Sequence, residues 1–170
     1  GGTMRPKRWT WLLIALLAAG CVVPPPAGTP EPPKVEIMMG DARALSYGSS
    51  AKELVGHPTV GEKVRRLFGS DWEPGGRLAS PAKEFFSIPS PSRLLRIGGA
   101  EYIAAPGCLP GKCQTHRGLL LVLLDGEELL ARLDEGGFAH YYAFRAGANM
   151  TPQDRALVDS AWRALEPASN

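Results

Sequence analysis

The 170-residue chain lacks a long hydrophobic run: no stretch approaches the roughly 20 apolar residues of a membrane-spanning helix, which excludes a polytopic membrane protein. It also lacks an excess of charge of either sign. Lys and Arg total 19 and Asp and Glu 17, and setting aside Arg5, Lys7 and Arg8 leaves 16 basic against 17 acidic residues. A near-neutral body offers no clustered basic face for duplex DNA or RNA, so no nucleic-acid partner is expected. Catalytic signatures are missing as well. There is no Gly-x-Ser-x-Gly elbow, no phosphate-cradling glycine loop and no His-Glu-x-x-His zinc motif. With no nucleophile or acid–base pair to nominate, the chain reads as a non-enzyme without a cofactor. Cysteine is scarce, at Cys21, Cys108 and Cys113 alone. What is present is a 44% apolar content, close to that of folded globular proteins, together with 16 Pro and 20 Gly.

The N-terminus reads as an address. Gly1 to Thr3 precede Met4 and are taken as non-native. Arg5, Lys7 and Arg8 form a basic head, Trp9 to Ala19 an apolar run of eleven residues, and Ala18-Ala19-Gly20 lead into Cys21. This is the layout of a secretory signal over 1–20, and the run is too short for a permanent anchor helix. Leu17-Ala18-Ala19-Gly20-Cys21 resembles the lipobox of bacterial lipoproteins, although such boxes more often have Leu where Ala18 stands. The resemblance implies acylation of Cys21. Val22, in place of the Asp that retains such proteins at the inner membrane, implies a Gram-negative outer membrane lipoprotein facing the periplasm. Residues 21–34 then form a tether: Pro24, Pro25, Pro26, Pro30, Pro32 and Pro33 favour polyproline II, and thirteen residues from Val22 reach about 40 Å. An unanchored linker would have the same composition and is disfavoured because Cys21 sits directly ahead of it.

The remainder reads as α+β. Residues 35–57 show only a weak pattern, with a short helix at Ala51 to Val55 as the one candidate. A domain is expected over 58–167. Thr59 and Glu62 have capping-box spacing, and Val60, Val64, Leu67 and Phe68 fall on one helical face that Gly69 ends. Trp72 is assigned to the core. Arg93 to Ile97 and Ala100 to Ala105 flank Gly98-Gly99 as a hairpin, Gly118 to Leu124 suits a strand buried on both faces, Asp125-Gly126 returns the chain as Glu127 to Leu133, and Phe138 to Phe144 alternates. Thr151 and Pro152 open a last helix with Leu157, Val158, Ala161, Trp162 and Leu165 as its apolar stripe, stopped by Pro167. The expected architecture is a five-stranded antiparallel meander with flanking helices packed on one face.

The ring Cys108-Leu109-Pro110-Gly111-Lys112-Cys113 carries the functional information. In an exported chain these two cysteines should pair, and Pro110-Gly111 suits the central positions of a type II turn that brings them together. So small a ring adds only about 2 kcal/mol by loop entropy. It therefore reads either as a stiffened binding tip or as a staple for a strand connection, and the residues alone do not separate the two. A zinc site from Cys108, Cys113, His116 and His140 is disfavoured by the same spacing and compartment, and no metal is expected. The acidic pairs Glu127-Glu128 and Asp134-Glu135 flank turns as solvated hairpin ends, or as an acidic rim facing a basic partner. His140 is assigned to the core or an edge.

The run from Tyr102 to Arg117 resembles the signature of the inhibitor of vertebrate lysozyme (Ivy) family: a Tyr six residues before the first Cys, a Cys-x-Pro-x-x-Cys loop, and an Arg four residues after the second Cys. The order of elements from Pro58 to Leu165 agrees. The resemblance implies an antiparallel sheet with flanking helices and a loop that inserts into the active-site cleft of c-type lysozymes. The family typically places His after the loop's Pro, against the enzyme's catalytic carboxylates, followed by Asp or Asn. Here those positions are Gly111 and Lys112. Either Lys112 supplies the cation that meets a carboxylate, or the loop has taken another partner such as the cell's own lytic transglycosylase. The expected function is inhibition of lysozyme or a related peptidoglycan-cleaving enzyme, with a membrane contact only through the lipid. The alternative is a non-inhibitory interaction module of the envelope. A homodimer is left open.

Overall fold

The computed structural model describes residues 1–4, 20, 21, 31–145 and 149–166. The chain divides into two units, Gly1–Pro30 and Glu31–Asn170. The predicted apolar signal run, most of the Pro-rich tether and Pro167 lie outside the described residues. Among those described, no helix is long and apolar enough to cross a membrane.

The second unit is built on one antiparallel sheet. In chain order its elements are β1 (Val35–Ile37), α1 (Ala51–Gly56), α2 (Val60–Phe68), α3 (Ala82–Phe85), β2 (Arg93–Ile97), β3 (Ala100–Cys108), β4 (His116–Leu123), β5 (Leu129–Glu135), β6 (Phe138–Phe144) and α4 (Pro152–Ala164). Every strand pairs antiparallel with its sequence neighbour, in the order β1-β2-β3-β4-β5-β6. The sheet thus has six strands where five were expected. The additional one is β1, whose three residues pair with β2 in the register Val35↔Ile97 to Ile37↔Leu95. β3 also runs past the expected Ala105. It outruns β2, whose register ends at Arg93 opposite Ala104, so Pro106 sits where no strand flanks it on that side and its missing N–H breaks no ladder.

Helices cover both faces, which corrects the expected one-sided packing. Alternation along β4 sends Leu120 and Val122 into a core shared with Leu54, Val64, Phe68 and Phe85 of α1 to α3. It sends Leu119 and Leu121 into a second core closed by Val158, Ala161 and Trp162 of α4. An unbroken run of buried Leu and Val on a central strand needs cover above and below. The Leu/Val run of β4 is therefore the physical reason why α4 lies on the face opposite α1 to α3.

Two helix starts behave differently. Thr151 caps α4 with Pro152 in its first turn, as the sequence predicts, and Asp154 completes a reciprocal capping box that the sequence reading did not name. Thr59 makes no side-chain cap on α2. Instead the His57 Nδ1 accepts from the amides of Thr59 and Val60, each at 3.2 Å, so an imidazole two residues upstream replaces the expected capping box.

A buried carboxylate ties the layer of α1 to α3 to the sheet edge. Asp71 is 1% exposed. Its Oδ1 accepts from the Arg77 amide at 2.8 Å, and its Oδ2 from Arg77 Nη2 at 2.8 Å and from the Tyr142 hydroxyl at 2.9 Å. Burial by itself pushes the Asp71 carboxyl up; the Arg77 guanidinium, its amide and the Tyr142 hydroxyl more than offset this and hold it below the usual carboxylate range. Trp72 follows directly and stacks on Phe68 at 5.8 Å, against the first core.

Candidate functional site

The disulfide loop connects β3 to β4. Because β3 carries the chain from Ala100 to Cys108 over nine residues, the loop stands about 30 Å from the Gly98-Gly99 turn. Val35, where the chain enters the sheet, pairs with Ile97 beside that turn. The loop and the point of chain entrance therefore occupy opposite ends of the sheet. The β5–β6 turn, Gly136-Gly137, shares the loop's end, and the Gly136 amide donates to the Thr115 carbonyl at 3.2 Å.

Cys108 and Cys113 are joined by a disulfide with their Cα atoms 4.9 Å apart. Within the ring the Lys112 amide donates to the Leu109 carbonyl at 2.9 Å, and Gly111 has φ +80°. That combination defines a type II turn with Pro110 and Gly111 at its centre, as the sequence predicts. Glycine is required there because a left-handed conformation disfavours any Cβ. The downstream shoulder is fixed by the same backbone: the Lys112 carbonyl accepts from the amides of Thr115 at 3.1 Å and His116 at 2.8 Å.

The six loop residues are not equivalent. Leu109 points inward, is 6% exposed and belongs to the first core, while Pro110, Gly111, Lys112 and Cys113 are exposed and Cys108 is partly so. The ring is thus pinned at Leu109 and free at its apex. Lys112 takes part in none of the ion pairs among the described residues. An exposed ammonium at the tip of a closed ring is available to an external carboxylate.

Beneath the ring, Gly107 and Gly118 face each other across the β3–β4 ladder. A Cβ on Gly107 would run into the Phe85 carbonyl, and one on Gly118 would stand 2.9 Å from Leu133 Cδ2. Their lack of side chains lets α3 press Phe85 and Phe86 against the strands at the base of the loop. This support was not read from the sequence; the only signal for it is a pair of glycines in strands on either side of the cysteines. His116 also braces the base, its ring lying 6.4 Å from that of Phe85 and its Nδ1 within 2.8 Å of the Thr115 hydroxyl.

The residues that flank the loop motif turn inward. Tyr102 is 7% exposed in the second core, where burial raises the pKa of its hydroxyl. Arg117 stacks on Trp162 of α4 at 4.6 Å from the ring centroid, and Arg132 lies over the same ring at 4.2 Å. Both motif residues hold the frame.

The acidic pairs are largely spent internally. Glu135 Oε2 accepts from the Ala79 amide at 3.1 Å, Asp134 binds Arg132 and Glu127 lies 3.6 Å from Lys63. Glu127 and Glu128 also follow the Asp125-Gly126 turn at the end of the sheet away from the loop. One residue at the loop's end escaped the sequence reading: Phe138, paired opposite Glu135, is 74% exposed. Cys21 is exposed and outside the disulfide. Among the described residues no group of three or more His, Cys, Asp or Glu side chains is placed to hold a metal.

Comparison of the chain with protein-family models, curated proteins and solved structures returns no match.

Proposed function

We propose that the protein is a stoichiometric inhibitor of a peptidoglycan-cleaving enzyme, a c-type lysozyme or a lytic transglycosylase, acting through the Cys108–Cys113 loop. The observation that carries this reading is a Lys112 ammonium, in no ion pair among the described residues, at the exposed apex of a ring that a disulfide, a type II turn and the buried Leu109 hold rigid. A preorganised tip loses little entropy on docking, and its ammonium fits a cleft that carries catalytic carboxylates. The likeness of the Tyr102 to Arg117 run to the Ivy family supports the same reading, with Lys112 in the role that the family gives to His. Acylation at Cys21 and the Pro-rich tether would place the domain on the periplasmic side of the outer membrane. Within the folded unit the chain enters the sheet at the end opposite the loop, so the tether does not emerge beside the binding tip.

The test is to titrate the oxidised full chain into a cell-wall lysis assay with a c-type lysozyme, and separately with a lytic transglycosylase. Inhibition that saturates at one inhibitor per enzyme, lost on reduction, is the expected result. Inhibition of the transglycosylase alone assigns the target to the cell's own wall enzymes. Inhibition of neither overturns the proposal in favour of a non-inhibitory interaction module.

A further inference from the structure

Among the described residues the outer edge of β6 is the long unpaired edge of the sheet. At the opposite edge β1 has only three residues, whereas β6 has seven and contains neither Pro nor Lys, the usual means of blunting an edge strand. Glu135 and Phe138 close the two-residue Gly136-Gly137 turn, with φ +58° and +98°, and are therefore the first hydrogen-bonded pair of the hairpin. Counting along the ladder, Phe138, His140 and Tyr142 direct their backbone groups toward β5. Ala139 and Tyr141, opposite Asp134 and Arg132, direct theirs outward. Among the described residues no other strand pairs with β6.

Those outward groups border a polar groove of about 460 Å³, lined by Arg77, Ala139, His140, Tyr141, Thr151 and Arg155 among others. An arginine stands on each side of it. Arg77 rises from the connection packed on the first face, with its side chain 73% exposed and only Nε and Nη2 committed to Asp71. Arg155 rises from α4 on the second face, lies 4.3 Å from the Tyr141 ring centroid, and joins no ion pair among the described residues. The nearby carboxylates already have partners: Asp71 with Arg77 and Tyr142, Asp154 with Arg145, Asp159 with Arg132 and Tyr141. His140 Nε2 is buried at this groove without a hydrogen-bond partner.

We propose that the β6 edge is a docking site for an extended acidic segment of a partner protein, which adds to the sheet as a seventh strand. Its main chain pairs with Ala139 and Tyr141, and acidic side chains at adjacent positions, which point to opposite faces, reach Arg77 and Arg155. Charge decides against a second copy as the occupant. A two-fold pairing of β6 with itself would bring Arg155 and Arg77 each against its own counterpart, whereas an acidic strand would meet Arg155, which joins no ion pair among the described residues, and the guanidinium edge of Arg77 that Asp71 leaves uncommitted. The site is separate from the loop and does not depend on the loop's target.

The probe is a capped hexapeptide with two central glutamates flanked by Val and Thr, added to the full chain while amide hydrogen exchange is followed by NMR. At least tenfold slower exchange of the Ala139 and Tyr141 amides is expected on binding. An analogue with lysines for the glutamates, and one N-methylated at every second amide, should each bind at least tenfold more weakly. Arg155→Glu, on an exposed helical position, should shift the preference toward the lysine peptide. Ala139→Pro removes one outward amide and leaves the β5 ladder intact, so it should abolish peptide binding with an unchanged circular dichroism spectrum. Unprotected edge amides, or binding indifferent to N-methylation, would overturn the proposal. Protection that appears without peptide and grows with protein concentration would overturn it in favour of a second copy.

Discussion

The Asp71 clasp and the Cys108–Cys113 ring both fix backbone by means other than apolar packing, and they differ in what they join. Asp71 links the connection after α2 to Tyr142 on β6, 71 residues away, from a position that is 1% exposed. The disulfide links residues five apart, and most of the ring it closes is exposed. A long-range buried contact constrains the whole unit; a short exposed ring constrains only itself. The two constraints thus lie in separate parts of the molecule, and substitutions at the two places should separate in what they change.

The largest effect is expected from Asp71→Ala. It strips the Tyr142 hydroxyl and the Arg77 amide of their acceptor and should lower unfolding stability by about 3 kcal/mol, read from urea denaturation. Tyr142→Phe removes one of the bonds and should cost about 1.5 kcal/mol. Because the Asp71 pKa is lowered in the folded state, its contribution is present above the unfolded value of about 4 and is lost as pH falls through the native value. Stability should therefore decline from about pH 4 downward, and Asp71→Asn should flatten that decline. A pH profile unchanged by Asp71→Asn would assign the acid sensitivity elsewhere.

Replacing both Cys108 and Cys113 by Ser is expected to cost about 2 kcal/mol, the entropy of so short a loop. The fold should persist by circular dichroism because the Leu109 anchor and the turn hydrogen bonds remain. Inhibitory titration should suffer more than stability does. Global unfolding would show that the ring, like the clasp, holds the unit together.

The ring's legibility in sequence was high and that of its support low, for one reason. Two cysteines around Pro110-Gly111 specify a local geometry, and local geometry is what residue order encodes most directly. The hairpins at Gly98-Gly99 and Asp125-Gly126, the limits of β6 and the Thr151 cap were readable on the same ground. What could not be read depends on partners distant in the chain. β1 is three residues long and finds its pairing partner 60 residues on, so no periodicity marks it. α3 has four residues, and its fit against Gly107 and Gly118 exists only once the sheet has formed. The side chosen by α4 was implied by the doubly buried run of β4, yet the expectation of one-sided packing did not use it. At α2 the Thr59 and Glu62 spacing was correct for a cap, and the nearby His57 imidazole took the position instead.

The smallest changes in stability are expected at the apex, where the comparison is sharpest. Gly111→Ala forces a Cβ into φ +80° with nothing within 4 Å of it, so the cost is backbone strain alone, about 1 kcal/mol. Lys112→Ala removes an exposed side chain that no described residue pairs with, and stability should stay within about 0.5 kcal/mol. If the loop inhibits as proposed, the same substitution should weaken inhibition at least tenfold, because an ammonium seated against a carboxylate in a dry cleft would carry a charge-assisted bond that an alanine cannot replace. Lys112→Arg should recover part of the loss if charge is what the target reads. An inhibition constant indifferent to Lys112 would leave the ring as a staple for the β3–β4 connection, since a tip whose only free charge can be deleted at no cost to binding is not the part that binds.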